Sequence, residues 1–296
     1  MLVLARALIA LTKPRLAVMS VLTTAVAYLQ ARPTLDGAHA ICVLGATLLS
    51  AAGALGLNQW RERDADALMR RTRGRPLPRQ QLSPAVALGW TLLLGTAGVA
   101  GLAWAANGLA AFLSALTIAI YAWVYTPLKR RSRWATEIGA LSGALPPLIG
   151  AAAATGGLTT FGVFLAGILV LWQMPHFFAI GWACRADYRA AGFPLLPAID
   201  ATGVRTSRTC VGYTLVLVAT AALAGLAGWV PPWSAAVSAV AALPMVRRAR
   251  EFAAHAAAAS EPGRETRRDE AARSLFLASL TYLPLVLLTA VVEALV

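Results

Sequence analysis

Residues 80–128 read QQLSPAVALGWTLLLGTAGVAGLAWAANGLAAFLSALTIAIYAWVYTPL, a stretch without a single charged side chain. A helix needs about 20 apolar residues to cross the hydrocarbon core of a bilayer. The stretch is long enough for two such helices, and Asn107-Gly108 near its middle is typical of the turn between them. It therefore predicts a pair of transmembrane helices.

The composition of the whole chain also indicates a membrane protein. Of its 296 residues, 58% are hydrophobic and 13% are charged, and the mean hydropathy is +0.66. These values exclude a disordered chain, which needs low hydrophobicity, and disfavour a soluble domain, which carries about 25% charged residues. The net charge of +13 would be typical of a nucleic-acid-binding protein, but that interpretation requires a soluble basic face.

Five further stretches of the chain are uncharged. They are Leu16–Ala31, Gly37–Trp60, Ile138–Cys184, Thr209–Val246 and Ser274–Val292. The third and fourth of these are long enough for two helices each, with breaks at Thr155-Gly156-Gly157 and Val230-Pro231-Pro232. The sequence therefore predicts an all-α polytopic membrane protein. We expect a single domain, residues 1–296, built as a bundle of nine transmembrane helices around a central cavity that opens to the cytoplasmic side.

The basic residues predict the orientation of this bundle. With nine helices, every Lys and Arg except Arg32 falls on one side of the membrane, and such an excess marks the cytoplasmic side. We therefore expect a bacterial-type cytoplasmic (inner) membrane protein with its N-terminus inside, its C-terminus outside and no nucleic-acid partner. A secretory signal peptide is the alternative for Leu16–Ala31, but Lys13-Pro14-Arg15 favours the cytoplasmic start of a helix.

One predicted cytoplasmic helix end carries three oxygen-bearing side chains at intervals of four residues: Asn58, Glu62 and Asp66. At about 100° per residue they share one helix face over about 12 Å. Amide and carboxylate oxygens suit Mg²⁺, which also binds substrate phosphates. Arg71 and Arg75 follow closely and offer guanidinium groups to a diphosphate. The alternative is a solvated juxtamembrane helix whose acids offset its arginines.

The next candidates lie near the ends of other predicted helices. Tyr125 and Lys129 share a helix face unless Pro127 breaks the turn. Lys129 then offers a positive charge at the membrane surface, although it could serve only as a positive-inside anchor. Glu137 begins the following helix and is either a third acid of the cavity or a surface acid that balances Arg133.

A histidine lies well inside the sixth predicted helix. Ionisable residues within a membrane are candidates for function, so His176 is one; a packing histidine bonded to a neighbouring helix is the alternative. Pro175 should kink the helix at this point. Asp187 follows eleven residues later, after about three turns, and therefore lies on nearly the same face.

Taken together, these segments resemble the UbiA-type intramembrane prenyltransferases. The resemblance is carried by Leu11–Arg15, Asn58–Pro76, Tyr125–Lys129 with Gly143–Pro147, and Trp172–Pro197. Within the family it is closest to the branch whose acceptor is heme B. It implies transfer of a farnesyl group from farnesyl diphosphate to a vinyl group of heme B, with addition of water and release of diphosphate.

The resemblance also implies roles for individual residues. The catalytic and Mg²⁺-binding residues would be Asn58, Glu62, Asp66 and Asp187. Diphosphate would be bound by Arg71, Arg75, Lys129, Arg130, Tyr125 and Arg185. His176 would contact the heme, and a heme-modifying or oxidase-assembly protein could be a partner. Close relatives often have two adjacent acids in the second motif, whereas Ala186 precedes Asp187 here, so the number of Mg²⁺ ions stays open.

Three other functions compete with this one. A UbiA-type enzyme acting on an aromatic or quinone precursor would share most of the motifs. A transporter would show inverted repeats and helices broken at the midplane, and the chain has no convincing internal repeat. A heme redox protein would need a pair of intramembrane histidines, but His39 and His255 fall in predicted loops on opposite sides.

Overall fold

The structure is a computed structural model that describes residues 2–32, 36–258 and 264–295. Over these residues it consists of helices and connecting turns, without a strand, which confirms the predicted all-α class. Four places that carry predictions lie outside the described residues. They are Met1, at the N-terminus predicted to be inside, residues 33–35, between the first two predicted helices, residues 259–263, in a loop predicted to be cytoplasmic, and Val296, at the C-terminus predicted to be outside.

The chain divides into two compact units. One unit runs from the N-terminus to Arg130 and includes Leu141–Ala166, and the other comprises Arg131–Ala140 and the chain from Gly167 onward. The helices up to the first boundary are α1 Leu2–Leu11, α2 Pro14–Ala31, α3 Gly37–Leu68, α4 Pro84–Ala105, α5 Gly108–Ile118, a π-helix Ala119–Tyr125 and α6 Thr126–Leu128. Those that follow are α7 Ala135–Ala144, α8 Pro146–Thr155, α9 Thr160–Ala183, α10 Arg185–Ala190, α11 Leu196–Ile199, α12 Val204–Leu226, α13 Pro232–Ala257 and α14 Arg264–Leu295.

The helices confirm a multi-pass membrane protein but do not reproduce the predicted count of nine. In the described part of the chain, seven segments are long and apolar enough to cross a membrane, or eight if α1 and α2, bent by 47°, form one span. When α1 and α2 are counted as one span, the remaining difference is α13, which is not among the candidate spans. Its uncharged part, Pro232–Val246, is roughly 22 Å long and Arg247 follows directly, whereas the hydrocarbon core is about 30 Å thick.

The predicted breaks between paired helices are confirmed, and each has a local cause. Asn107 ends one span and caps the next, because its side chain accepts a hydrogen bond from the backbone N–H of Ala110. Gly156 closes α8 in the left-handed conformation with φ of 79°, which glycine adopts without steric cost. At the third break, α13 begins at Pro232, where the missing N–H needs no partner.

Small residues bring α3 and α4 into close contact in the first unit. A Cβ atom added to Gly53 would lie 2.5 Å from Cα of Gly95, and one added to Gly98 would collide with the backbone of Ser50. Such close backbone approach is how helices associate in lipid. It holds α3, the helix with the predicted metal-binding face, firmly against its neighbour.

Candidate active site

The three oxygen-bearing side chains of α3 lie on one buried face, as their spacing predicts. Asn58 is 1% exposed, Glu62 4% and Asp66 1%. Asp64, on the same helix, is instead exposed. Buried carboxylates are costly unless they are paired or hydrogen-bonded, so the partners of Glu62 and Asp66 define the chemistry of the site.

Each of the two carboxylates pairs with a cation from a later part of the chain. Lys129 places Nζ 2.8 Å from Oε1 of Glu62, and Arg75 donates to Oδ2 of Asp66 over 2.6 Å. Thr72 supports the second pair, because its hydroxyl donates to the backbone carbonyl of Asp66. Both ion pairs are largely shielded from solvent. The loss of one partner is costly in such a pair, because the other buried charge is left unpaired.

A third cation, Lys13, completes the set. Its Nζ donates to Oδ1 of Asn58 over 2.8 Å, and Nδ2 of Asn58 donates to the hydroxyl of Thr126 over 3.0 Å. The hydroxyl of Thr126 in turn donates to the carbonyl of Tyr121 in the π-helix. This chain of hydrogen bonds fixes the orientation of the Asn58 amide, so that its oxygen faces Lys13.

Lys13 lies within Leu11–Arg15, one of the segments that carry the family resemblance, but it was not predicted to be a site residue. The available signal was a lysine directly before Pro14, at a point where the apolar sequence of the first helices is interrupted. Lys13 has a φ of 47°, the left-handed conformation that costs a non-glycine residue roughly 1 kcal/mol or more. Gln59 holds the preceding residues in place, since its Nε2 donates to the carbonyls of Ala10 and Leu11.

Lys129 and Tyr125 share a helix face, which confirms the prediction made from their spacing. The backbone N–H of Lys129 donates to the carbonyl of Tyr125 over 3.1 Å, so Pro127 does not break the turn. The ammonium group of Lys129 lies 4.5 Å from the ring centroid of Tyr125, within the range of a cation–π interaction. The π-helix Ala119–Tyr125 comes directly before this turn, and such segments frequently occur at functional sites.

The α3 face offers Mg²⁺ oxygen ligands without enclosing it. One carboxylate oxygen, Oδ1 of Asp66, is buried and has no hydrogen-bond partner among the described residues. The described residues contain no cluster of three His, Cys, Asp or Glu side chains that would form a closed metal site. Mg²⁺ needs only one or two protein carboxylates when substrate phosphates supply further ligands, so Asn58, Glu62 and Asp66 fit a metal that arrives with a diphosphate.

The other predicted diphosphate ligands occupy different environments. Arg71 and Arg130 have exposed side chains, whereas Arg75 and Lys129 are partly buried in the ion pairs described above. In the second unit, Arg185 is already engaged: it donates to Oδ2 of Asp269 over 2.8 Å. Diphosphate binding by these exposed arginines, by Tyr125 and by Arg185, and metal binding by Asp187, stay predictions.

Asp269 organises the start of α10, and sequence reasoning did not find it. Besides accepting from Arg185, it accepts a hydrogen bond of 2.8 Å from Nε1 of the fully buried Trp182. The guanidinium groups of Arg185 and Arg268 lie 4.4 and 4.9 Å from the ring of Trp182. These contacts fix the backbone just before Asp187. Asp269 lies more than eighty residues further along the chain, so no local pattern pointed to it.

His176 lies in α9 with one ring nitrogen bonded and the other free of described partners. Its Nδ1 is 2.8 Å from Oγ of Ser279, and that hydroxyl donates its own hydrogen to the carbonyl of Phe276. The hydrogen between Nδ1 and Ser279 must therefore come from the imidazole, which leaves a lone pair on Nε2. The ring stacks on Trp172, with centroids 5.0 Å apart. His176 therefore packs against α14, as the packing interpretation requires. Its contact with heme stays a prediction.

Comparison with known sequences gives a consistent result. The sequence model of the UbiA prenyltransferase family matches residues 18–264. A protein named protoheme IX farnesyltransferase from Opitutus terrae is 42% identical over 286 residues, covering 96% of this chain and 93% of the relative. A protein of the same name from Synechococcus elongatus is 38% identical over 277 residues, covering 93% and 84%.

Solved structures share the fold at low sequence identity. A digeranylgeranylglyceryl phosphate synthase has a TM-score of 0.78 at 14% identity and covers 98% of both chains. A UbiA homolog from Archaeoglobus fulgidus, bound to DMAPP and Mg²⁺, has a TM-score of 0.65 at 13% identity and covers 97% of this chain and 99% of its own. The family match, the relatives and the fold agree: this chain belongs to the UbiA prenyltransferase family.

Proposed function

We propose that the chain transfers the farnesyl group of farnesyl diphosphate to a vinyl group of heme B and so produces heme O and diphosphate. The observation that carries the proposal is the buried face of α3, where three oxygen-bearing side chains meet three cations. The acceptor is supported by relatives named protoheme IX farnesyltransferase that are about 40% identical over most of the chain. The family model spans residues of both compact units, which supports one functional domain.

The cations of the α3 face would bind the diphosphate. In the structure, side-chain oxygens of α3 are the partners of Lys13, Lys129 and Arg75. Phosphate oxygens would replace them as partners of these three cations. Since the cations are already in place, they can stabilise the charge that develops on the leaving group with little rearrangement. Mg²⁺ bound to the α3 oxygens would add Lewis-acid stabilisation of the same leaving group.

The proposed reaction consumes water, which becomes the hydroxyl group of the product. The C1–O bond of farnesyl diphosphate breaks, and the diphosphate leaves with the electron pair. The π electrons of the heme vinyl group form the new C–C bond to the allylic carbon. Water then adds to the cation left on the former vinyl group and loses a proton, which gives the hydroxyl of heme O. Water must be excluded until the C–C bond has formed, because it would otherwise capture the allylic cation.

His176 would contact the acceptor. Its Nε2 lone pair can bind heme iron or accept a hydrogen bond, since Ser279 holds the other nitrogen in its protonated form. We also propose that the chain lies in the inner membrane with its N-terminus in the cytoplasm. The product, with its farnesyl tail, would remain in the bilayer and pass to a heme-modifying or oxidase-assembly partner.

The test is pigment analysis of a host that lacks its own heme O synthase. Expression of the chain should produce heme O, and an Asn58→Ala/Glu62→Gln/Asp66→Asn variant should abolish it. Asp64→Asn is the matched control, because this exposed acid lies on the same helix outside the buried face. Undiminished heme O in the triple variant would refute the site. Prenylation of 4-hydroxybenzoate instead of heme B by membranes containing the chain would refute the acceptor.

A further inference from the structure

The second compact unit contains a cavity of about 380 Å³ where α7 and α12 begin. Its lining includes Arg133, Trp134, Glu137, Arg205, Arg208 and Tyr213. Neither Asp187 nor His176 lines it. The cavity is therefore separate from the residues of this unit that the proposed reaction uses.

The lining of this cavity is strongly basic. Three guanidinium groups accompany one carboxylate, that of Glu137. Arg133 stacks over Trp134 at 4.6 Å, while Arg205 and Arg208 are exposed, one turn apart, and have no acidic partner among the described residues. Like charges at this spacing repel each other on a helix. A bound anion would remove that repulsion, so the charges indicate an anion site.

The position of the cavity indicates which kind of anion binds there. The segments Ala135–Thr155 and Val204–Leu226 are both candidate membrane spans, and the cavity lies where both begin. The ends of spans lie at the level of the lipid head groups, and Trp134, 54% exposed, is typical of that level. Tyr213 lies nine residues, or about 14 Å, beyond the first residue of α12, on the acyl-chain side of that level. The lining of the cavity thus extends from arginines at the level of the head groups toward the acyl chains.

We propose that this cavity binds the head group of an anionic phospholipid, with the phosphate between Arg133, Arg205 and Arg208. The buried Oε2 of Glu137 has no hydrogen-bond partner among the described residues. It would accept a hydrogen bond from a hydroxyl of the head group, so phosphatidylglycerol has the chemistry that fits. Basic pockets between transmembrane helices bind anionic head groups, and each arginine near the surface contributes about fivefold in affinity.

The experiment measures lipid retained by the purified full-length chain in native mass spectrometry. The probes are phosphatidylglycerol and phosphatidylcholine of equal chain length. The wild type should retain phosphatidylglycerol in preference. An Arg205→Gln/Arg208→Gln variant should bind it about 25-fold more weakly. The matched control is Arg250→Gln/Arg267→Gln, which removes two exposed arginines outside the cavity and should retain phosphatidylglycerol like the wild type.

A second variant excludes misfolding as the explanation. Glu137→Gln removes the negative charge of the cavity but keeps an acceptor oxygen, so phosphatidylglycerol retention should rise above the wild-type level. Retention at or below that level would contradict the proposal, as would equal retention by the Arg205→Gln/Arg208→Gln variant. Displacement of the lipid by inorganic phosphate at the same concentration would identify a site for free anions. Displacement by heme B would assign the cavity to the acceptor. Either displacement overturns the lipid assignment.

Discussion

Lys13 reaches Asn58 from a turn 45 residues earlier in the chain, and it does so in a left-handed backbone conformation. Its ammonium group orients an amide oxygen that the proposed reaction needs. We expect Lys13→Met to lower kcat/KM for farnesyl diphosphate about 10- to 100-fold, because a hydrogen bond to a charged group is lost. The measurement is heme O formation by membranes at varied farnesyl diphosphate.

Arg15 supplies the control for this prediction. It is basic, exposed and two residues away, and it has no partner among the described residues. Arg15→Gln should therefore leave kcat/KM unchanged. Equal kcat/KM in Lys13→Met and the wild type would mean that the contact with Asn58 has no part in the reaction.

The ion pair between Glu62 and Lys129 can be tested by a double-mutant cycle. Lys129→Met leaves the buried carboxylate of Glu62 without its nearest cation, at a cost of about 3 kcal/mol or more. Glu62→Gln/Lys129→Met removes both charges and should recover much of that stability. The measurement is the Tm of purified protein in detergent. A double variant less stable than either single variant would show that the two residues do not act as a pair.

At the scale of the element, the packing of α3 against α4 depends on Gly53. A methyl group there would lie 2.5 Å from Cα of Gly95, and overpacking of this kind costs typically 1–3 kcal/mol. We therefore expect Gly53→Ala to lower the Tm and, by displacing α3, to reduce activity as well. Gly45→Ala on the same helix meets nothing within 4 Å and should not lower the Tm. Equal Tm values for both variants would show that α3 adjusts without cost.

Local pattern predicted most of the elements and one face of the site. The interval of four residues between Asn58, Glu62 and Asp66 is a property of a single helix, so the sequence alone placed them together. The contacts of Lys13 with Asn58 and of His176 with Ser279 join distant parts of the chain, the second over 103 residues. Periodicity carries no information about such pairs. They depend on which helices pack together and on the position of each helix along its axis relative to its neighbour.

At the scale of the whole molecule, the charge distribution predicts a topology that labelling can test. In a variant without Cys42, Cys184 and Cys210, a single cysteine at position 158 should react with a membrane-impermeant maleimide in intact cells. A single cysteine at position 81 should react only after permeabilisation, because it lies in a loop with the arginine-rich segment. Leu158→Cys and Gln81→Cys both replace exposed residues. If position 81 reacts in intact cells and position 158 reacts only after permeabilisation, the protein has the opposite orientation in the membrane.

The short uncharged part of α13 has a consequence for the surrounding bilayer. If this helix crosses the membrane, Arg247 lies within reach of the hydrocarbon on one side, and two responses relieve the mismatch. The arginine side chain can extend toward the head groups, or the lipids around α13 can thin locally. A protein with one short crossing matches a thin membrane better than a thick one. The acyl-chain length of the host membrane therefore becomes a physical variable in how stably this enzyme is held there.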